Sequence, residues 1–261
     1  MTLPPVTPNK ELGQHFLVDD NILGVIGRLA VLDHQDVVLE VGPGLGVLTT
    51  FLAERVAHVH AVELDHALEP YLTDRLAAHE NVRLAFGDAL RTDLSALRPP
   101  PTKFVANLPY NVATPLVVES LDGLPSVRHW TVMVQREVAD RFFAAPGTKA
   151  YGGVSVLVQL AAERTGFHPV ARSVFRPPPN VDSALVAFRR RQLPADYVRV
   201  KEVVQAGFAH RRKTLPNSVE LAGLADRGRA AAALESIGHA PATRAEALEP
   251  DEFVALARAL R

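Results

Sequence analysis

Cysteine is absent from all 261 residues, which excludes disulfides, thiolate metal sites and a cysteine nucleophile. No apolar run is long enough to span a bilayer, and the N-terminus lacks the charged, apolar and small-residue succession of a signal peptide. A soluble, cytoplasmic chain with no membrane partner is expected. Neither a heptad repeat nor a wide apolar stripe points to an obligate dimer, so the free chain is expected to be monomeric. Net charge is nearly absent too, with 28 Lys and Arg against 29 Asp and Glu, which at face value argues against a nucleic-acid partner. The average conceals a split: Glu11 to Asp93 carries 14 acidic and 5 basic residues, whereas Arg164 to Lys213 carries 11 basic and 3 acidic. A small ligand with a positive centre suits the first stretch, and a phosphate backbone suits the second.

What is present is an alternation of short β-branched runs and helical patterns. Val37 to Val41 reads as a strand that stops at Gly42-Pro43-Gly44-Leu45-Gly46, and Val47, Leu48, Phe51 and Leu52 continue with helical spacing. Strands follow at His58 to Val62, Val82 to Phe86, Lys103 to Ala106 and Trp130 to Val134, with helices over Ala67 to Ala77 and Pro115 to Leu121. This order implies a parallel, doubly wound α/β sheet, in which ligands gather at the carboxyl ends of the strands. A helix at Ser155 to Ala162 and a strand at Ser183 to Arg189 come next. Arg189 to Pro194 breaks the pattern, and the remainder reads as entirely helical. The expected division is a larger domain of residues 1–192 and a small helical one of residues 193–261.

The carboxyl ends collect Gly42, Gly44 and Gly46, then Glu63, Asp88 and Asn107. Glycines let a ligand approach the backbone at a strand-to-helix turn. Their G-x-G-x-G spacing differs from the dinucleotide pattern G-x-G-x-x-G, which seats a pyrophosphate. S-adenosylmethionine has a nucleoside, a sulfonium and an amino-acid tail but no pyrophosphate. Glu63 is placed to hold its ribose hydroxyls, and Asp88 to reach its adenine amino group.

Asn107-Leu108-Pro109-Tyr110 suits a planar amino group as methyl acceptor. The lone pair of such an amine is delocalised into its ring, so hydrogen-bond acceptors for its two protons matter more than a strong base. The Asn107 side-chain oxygen and the Leu108 carbonyl supply two acceptors, Pro109 fixes the turn, and Tyr110 can stack on a flat base. Other candidates carry less. His58 and His60 share a strand face with no third ligand at suitable spacing, so no metal is expected there. Ser155 reads as a helix N-cap, and Gln135-Arg136-Glu137 fits either a site lining or a surface pair.

On these residues the sequence resembles the ribosomal RNA adenine dimethyltransferases, specifically their bacterial small-subunit branch, over almost its whole length. Gly13-Gln14-His15-Phe16-Leu17 is similar to that family's N-terminal cofactor-lid motif, with His15 where many members carry asparagine, and Leu39 to Gly46 resembles its glycine loop. The resemblance implies a class I, Rossmann-like methyltransferase sheet with a small C-terminal α-helical domain. It also implies S-adenosylmethionine as cofactor, contacted by His15, Leu17, Gly42, Glu63, Asp88 and Asn107. Phe175-Arg176-Pro177-Pro178-Pro179 resembles a second base-stacking loop, implying that Phe175 faces Tyr110 across an extruded adenine. Leu108 fits the small-subunit branch better than the related large-subunit enzymes, which usually have isoleucine there. His210-Arg211-Arg212-Lys213-Thr214-Leu215 resembles the family's basic C-terminal stretch, implying contact with phosphates of small-subunit ribosomal RNA within the subunit.

The implied reaction is dimethylation of two neighbouring adenines near the 3′ end of that RNA, as a step in subunit biogenesis. Three rivals stay open at this point: a nicotinamide oxidoreductase on the same sheet, an amino-group methyltransferase acting on another RNA or on glutamine amides, and an assembly factor that mainly binds. Glycine spacing disfavours the first, and the basic later region disfavours a protein amide.

Overall fold

A computed structural model describes residues 8–9, 12–210 and 212–261. Its elements run in chain order from β1 (Phe16–Leu17), α1 (Asp20–Ala30), β2 (Val37–Val41) and α2 (Val47–Ala53) to β3 (His58–Glu63), α3 (Glu69–Leu76) and β4 (Val82–Phe86). Next come β5 (Lys103–Asn107), α4 (Ala113–Gly123), β6 (His129–Gln135), α5 (Arg136–Phe142) and α6 (Gly153–Ala161). Strands β7 (Ala162–Val170), β8 (Phe175–Arg176) and β9 (Ser183–Arg190) precede four helices, α7 (Tyr197–Ala209), α8 (Leu215–Leu221), α9 (Arg227–Ser236) and α10 (Pro250–Ala259).

The chain separates into two compact units. One comprises the residues through Ala139 with Arg164–Arg190, and the other comprises Asp140–Glu163 with Arg191–Arg261. Residues 140–163 thus group with the C-terminal helices, where the sequence placed them with the sheet.

The first unit is built on a seven-stranded sheet of order β4-β3-β2-β5-β6-β9-β7. Strands β2 to β6 pair in parallel, as their alternation with helices requires, whereas β9 pairs antiparallel with β6. The sheet is therefore mixed, because β9 returns antiparallel between β6 and the edge strand β7 instead of following another parallel crossover. Every residue of β2 is buried, which is why Val37-Val38-Leu39-Glu40-Val41 reads as nearly continuous apolar sequence. At the β6–β9 pair the Trp130 and Phe188 rings stack with centroids 5.4 Å apart.

Helix α1 buries Ile22, Leu23, Ile26 and Ala30 along one face, and the Asp19 side chain caps it by accepting from the Asn21 amide. β1 pairs antiparallel with β8, setting Leu17 opposite Phe175. The order of the central strands reverses direction between β2 and β5, so the carboxyl ends of these two strands flank a crevice.

The second unit is helical apart from the first residues of β7. Phe208 packs against both Tyr151 and Phe253, and the Tyr151 hydroxyl donates to the Leu248 carbonyl at 2.7 Å. Ser155 is not the N-cap of α6, which is Gly152; it lies at the third helical position, where its hydroxyl accepts from the Gly152 amide at 3.1 Å and donates to the Arg141 carbonyl at 2.6 Å. No helix among the described residues is long and apolar enough to cross a membrane.

Candidate cofactor and base cleft

An open cleft of about 1090 Å³, measured out to its mouth, lies at the carboxyl ends of β2, β3, β4 and β5. Its walls include His15, Leu17, Gly42, Gly44, Glu63, Asp88 and the whole of Asn107-Leu108-Pro109-Tyr110. Residues spread over nearly a hundred positions are thus brought to one place: the glycines, Glu63, Asp88 and the Asn107 turn each follow the end of a parallel strand, while His15 and Leu17 come from the N-terminal segment around β1.

The glycine turn is shaped by three residues with left-handed backbones, Gly42 at φ 75°, Gly44 at φ 57° and Gly46 at φ 69°. At Gly42 a β-carbon would come within 3.2 Å of the Pro109 ring, and at Gly44 within 3.1 Å of Phe16. A side chain at either position would push the β5 turn or the N-terminal segment away from the cleft. Gly46 is different. It does not line the cleft; its open side faces α3, where a β-carbon would sit 3.2 Å from Leu72 and from Arg75. The absence of a side chain at Gly46 thus serves the packing of the turn against α3.

Glu63 is 5% exposed and fastens the turn: one carboxylate oxygen accepts from the Gly44 amide at 3.0 Å and the other from the Asp65 amide at 2.9 Å. Burial raises its pKa, with the two amides pulling the other way. Each oxygen retains a further lone pair for a ligand hydroxyl. Asp88 accepts from the Leu90 amide at 2.9 Å, and its second oxygen lies 3.5 Å from the Arg91 guanidinium.

Sequence reasoning missed Glu40. It lines the cleft, is 1% exposed, and one of its carboxylate oxygens has no hydrogen-bond partner. Burial pushes its carboxyl up to about 8; Thr49 opposes this, and the charge of Glu63 adds to it. The available signal was a lone acidic residue inside an otherwise apolar strand, where an unsatisfied charge is costly without a function or partner.

The turn after β5 is held from three sides. The Leu108 amide donates to the Met133 carbonyl at 3.0 Å, and the Asn107 side-chain NH2 donates to the His15 carbonyl at 3.4 Å. With its NH2 so directed, Asn107 keeps its side-chain oxygen as an acceptor. Tyr110 shares a 2.6 Å hydrogen bond with the Ser183 hydroxyl, and burial holds its phenol above the usual pKa, so it stays neutral. Gln14 ties the N-terminal segment to the β3 end through Asp65 at 2.7 Å.

Phe175 corrects an expectation. It is fully buried in the core formed with Phe16, Leu17 and Ile26, and it does not line the cleft. Pairing of β8 with β1 turns its ring inward, and the ring that meets Tyr110 is that of His15. Arg136 lies with its guanidinium over the Phe167 ring at 4.8 Å, and the stretch around it does not line the cleft. The His58 and His60 rings meet edge to face at 4.4 Å, and burial lowers the pKa of both. In the basic C-terminal stretch His210, Arg212 and Lys213 are exposed, while Arg211 lies outside the described residues.

Comparison with known proteins identifies the family and the fold. The family model described as "Ribosomal RNA adenine dimethylase" matches residues 6–260. "Ribosomal RNA small subunit methyltransferase A" of Rubrobacter xylanophilus is 51% identical, covering 96% of this chain and 94% of its own length. The protein of the same name from Streptococcus pneumoniae is 42% identical, covering 98% and 92%. Among solved structures, a dimethyladenosine transferase from Plasmodium falciparum shares the fold with a TM-score of 0.76 at 24% identity, covering 93% of this chain and 96% of that one. The 23S rRNA methyltransferase ErmE matches with a TM-score of 0.68 at 28% identity, covering 94% and 99%.

Proposed function

Because the chain belongs to the ribosomal RNA adenine dimethylase family, we propose that it dimethylates two neighbouring adenines near the 3′ end of small-subunit ribosomal RNA, with S-adenosylmethionine as donor. The observation that carries this reading is the coincidence in one cleft of the Asn107-Leu108-Pro109-Tyr110 turn and the buried carboxylates of Glu40 and Glu63. When bound, the cofactor supplies an electrophilic methyl group on a positively charged sulfur.

The residues fit such a group. The unpartnered oxygen of Glu40 calls for a donor, and the ammonium of an amino-acid tail provides a charged one. Glu63, already oriented by two amides, accepts from ribose hydroxyls. Asp88 accepts from an adenine amino group, and Gly42 and Gly44 let the ligand lie close to the backbone. His15 and Leu17 close the N-terminal side.

On the acceptor side, the Asn107 side-chain oxygen and the Leu108 carbonyl accept hydrogen bonds from the two N–H groups of the target amine and favour a pyramidal nitrogen. Neither is a strong base, and none is required: a ring-bound ammonium formed on alkylation is acidic and releases its proton to water. Catalysis then comes chiefly from alignment of the nitrogen with the methyl carbon. Tyr110 supports the flat face of the base. The exposed His210, Arg212 and Lys213 contact RNA phosphates, which position the substrate without reading its sequence.

The test uses purified protein, undermethylated small subunits and labelled cofactor, followed by digestion to nucleosides. Label is expected in dimethyladenosine. Label confined to another nucleoside or to protein overturns the reading.

A further inference from the structure

The chain runs from β4 to β5 without an α-helix, although α2, α3 and α4 fill the other connections between the parallel strands. In place of a helix stands a strap, residues 88–101, with one 3-10 turn at Leu94–Ala96. Its first residues, Asp88, Ala89 and Leu90, form one wall of the cleft. Little packing holds it, since every residue from Asp88 to Pro100 is exposed or half-buried. Its hydrogen bonds run within the strap, as from the Thr92 amide to the Asp88 carbonyl and from the Arg98 guanidinium to the Ser95 and Leu97 carbonyls. Among the described residues a single hydrogen bond ties it to the rest of the chain, donated by His60 Nε2 to the Pro99 carbonyl at 2.8 Å.

We propose that His60 is a positioning residue for the cofactor: from β3 it latches the strap to the sheet, and so keeps Asp88 at the adenine end of the cleft. This rests on the reading that S-adenosylmethionine occupies the cleft with its adenine at Asp88. A carbonyl can only accept, so Nε2 carries the hydrogen and Nδ1 keeps a bare lone pair. Nδ1 is buried without a partner, and the His58 ring packs on His60 edge to face at 4.4 Å. The surrounding charges do not favour a proton there. Arg83 of β4 stands opposite His60 in the ladder, while β2 places only the apolar Val37 and Leu39 opposite His58 and His60. Arg98 of the strap is turned onto its own carbonyls. The Asp36 main chain accepts from the His58 amide, but its carboxylate is matched by Lys103 at 2.7 Å. Burial lowers the His60 pKa from its ordinary 6.5, the Pro99 bond opposes this, and Arg83 adds to it. The latch therefore holds above pH 6.5 and loosens as the pH falls below it, where the released ring takes up a proton that the latched ring resists.

The experiment uses the absence of cysteine from the chain. A nitroxide on Pro100→Cys, at an exposed position of the strap, reports strap mobility in the free protein, and titration gives the Kd for S-adenosylmethionine. His60→Leu and His60→Gln are compared with the native histidine in that background, with thermal melting as the check on folding. His60→Leu should free the label and weaken cofactor binding about threefold or more, because the binding-competent closed strap is less populated. His60→Gln, whose side-chain amide can donate to Pro99, should restore both. When the pH is lowered from about 7.5 to about 5.5, across the range in which histidine titrates, the label should loosen with histidine and not with glutamine. A label equally immobile in His60→Leu overturns the latch. So does failure of His60→Gln to restore it, and so does a pH response that the glutamine variant shares. A freed label with unchanged cofactor Kd overturns the positioning role. Native protein that binds no S-adenosylmethionine overturns the reading of the cleft itself, while label mobility still decides the latch.

Discussion

At the N-terminal ends of the central strands, the Asp36 carboxylate meets Lys103 Nζ at 2.7 Å, the Thr102 hydroxyl at 3.0 Å and the Asp33 amide at 2.7 Å. Lys103 and His129 also donate to carbonyls at the end of α1: Lys103 to Ala30 and Val31, His129 to Ala30. At the carboxyl ends of the same sheet, Glu40 keeps an oxygen with no partner and Glu63 keeps lone pairs that face a cleft. Both ends contain carboxylates set among apolar strands. The saturated end fastens helix to sheet, where a cation near a helix C-terminus is favourable. The unsaturated end carries an electrostatic cost that a cationic ligand removes.

The largest expected effect comes from breaking the saturated end. Lys103→Ala leaves Asp36 buried without its counter-charge and should cost about 3–5 kcal/mol of stability, read as a fall in denaturant midpoint with an unchanged slope. A drop no larger than that of an exposed ion pair would show that the two ends do not differ as described.

At the other end, Asn107→Ala should lower kcat about 100-fold, near 2.7 kcal/mol, while RNA binding by filter retention stays nearly intact. Loss of RNA binding would make the residue structural.

Glu40→Gln should act in opposite directions on binding and folding. The folded carboxyl titrates near 8, above the ordinary value of 4.5, so its contribution is intact below pH 4.5 and is progressively lost as the pH rises to 8. The variant, neutral throughout, should therefore gain more thermal stability over wild type at pH 8 than at pH 5. Its affinity for the cofactor should fall about tenfold at pH 8. Wild-type affinity should rise with pH through this window, since a bound ammonium favours the ionised carboxylate, and the variant's profile should be flatter. A parallel pH dependence in both proteins would remove Glu40 from the ligand site.

The smallest effect concerns the helix end that Lys103 serves. Val31 is 68% exposed and has a left-handed backbone at φ 48°. Val31→Gly should stabilise the protein by about 1 kcal/mol, measured by chemical denaturation, and should leave turnover unchanged.

Much of this cleft is legible in the sequence because parallel strands deliver their last residues to one edge. Val37-Val38-Leu39-Glu40-Val41 followed by three glycines, and Lys103-Phe104-Val105-Ala106 followed by Asn107, announce both a strand and the position of its end. The short β1–β8 pair is not legible in this way, since two residues carry no periodicity. Strand β7, with Gly166 and Pro169 among exposed polar positions, has none of the alternation that marks a half-buried strand. Helix α1 had a usable signal in Asp19 and the spacing of Ile22, Leu23 and Ile26.

By itself the sequence determined the order of strands and helices, the glycine turn, and which polar residues reach the carboxyl edge, because these follow from local periodicity and from where each strand stops. Tertiary structure decided which side each residue faces. Gly46 turns to α3 instead of the ligand, Phe175 is drawn into the core by pairing with Leu17, and Glu40 loses a hydrogen-bond partner. His15 comes to rest on Tyr110 across 95 positions of chain. Such contacts depend on the packing of segments distant in sequence, and no local pattern encodes them.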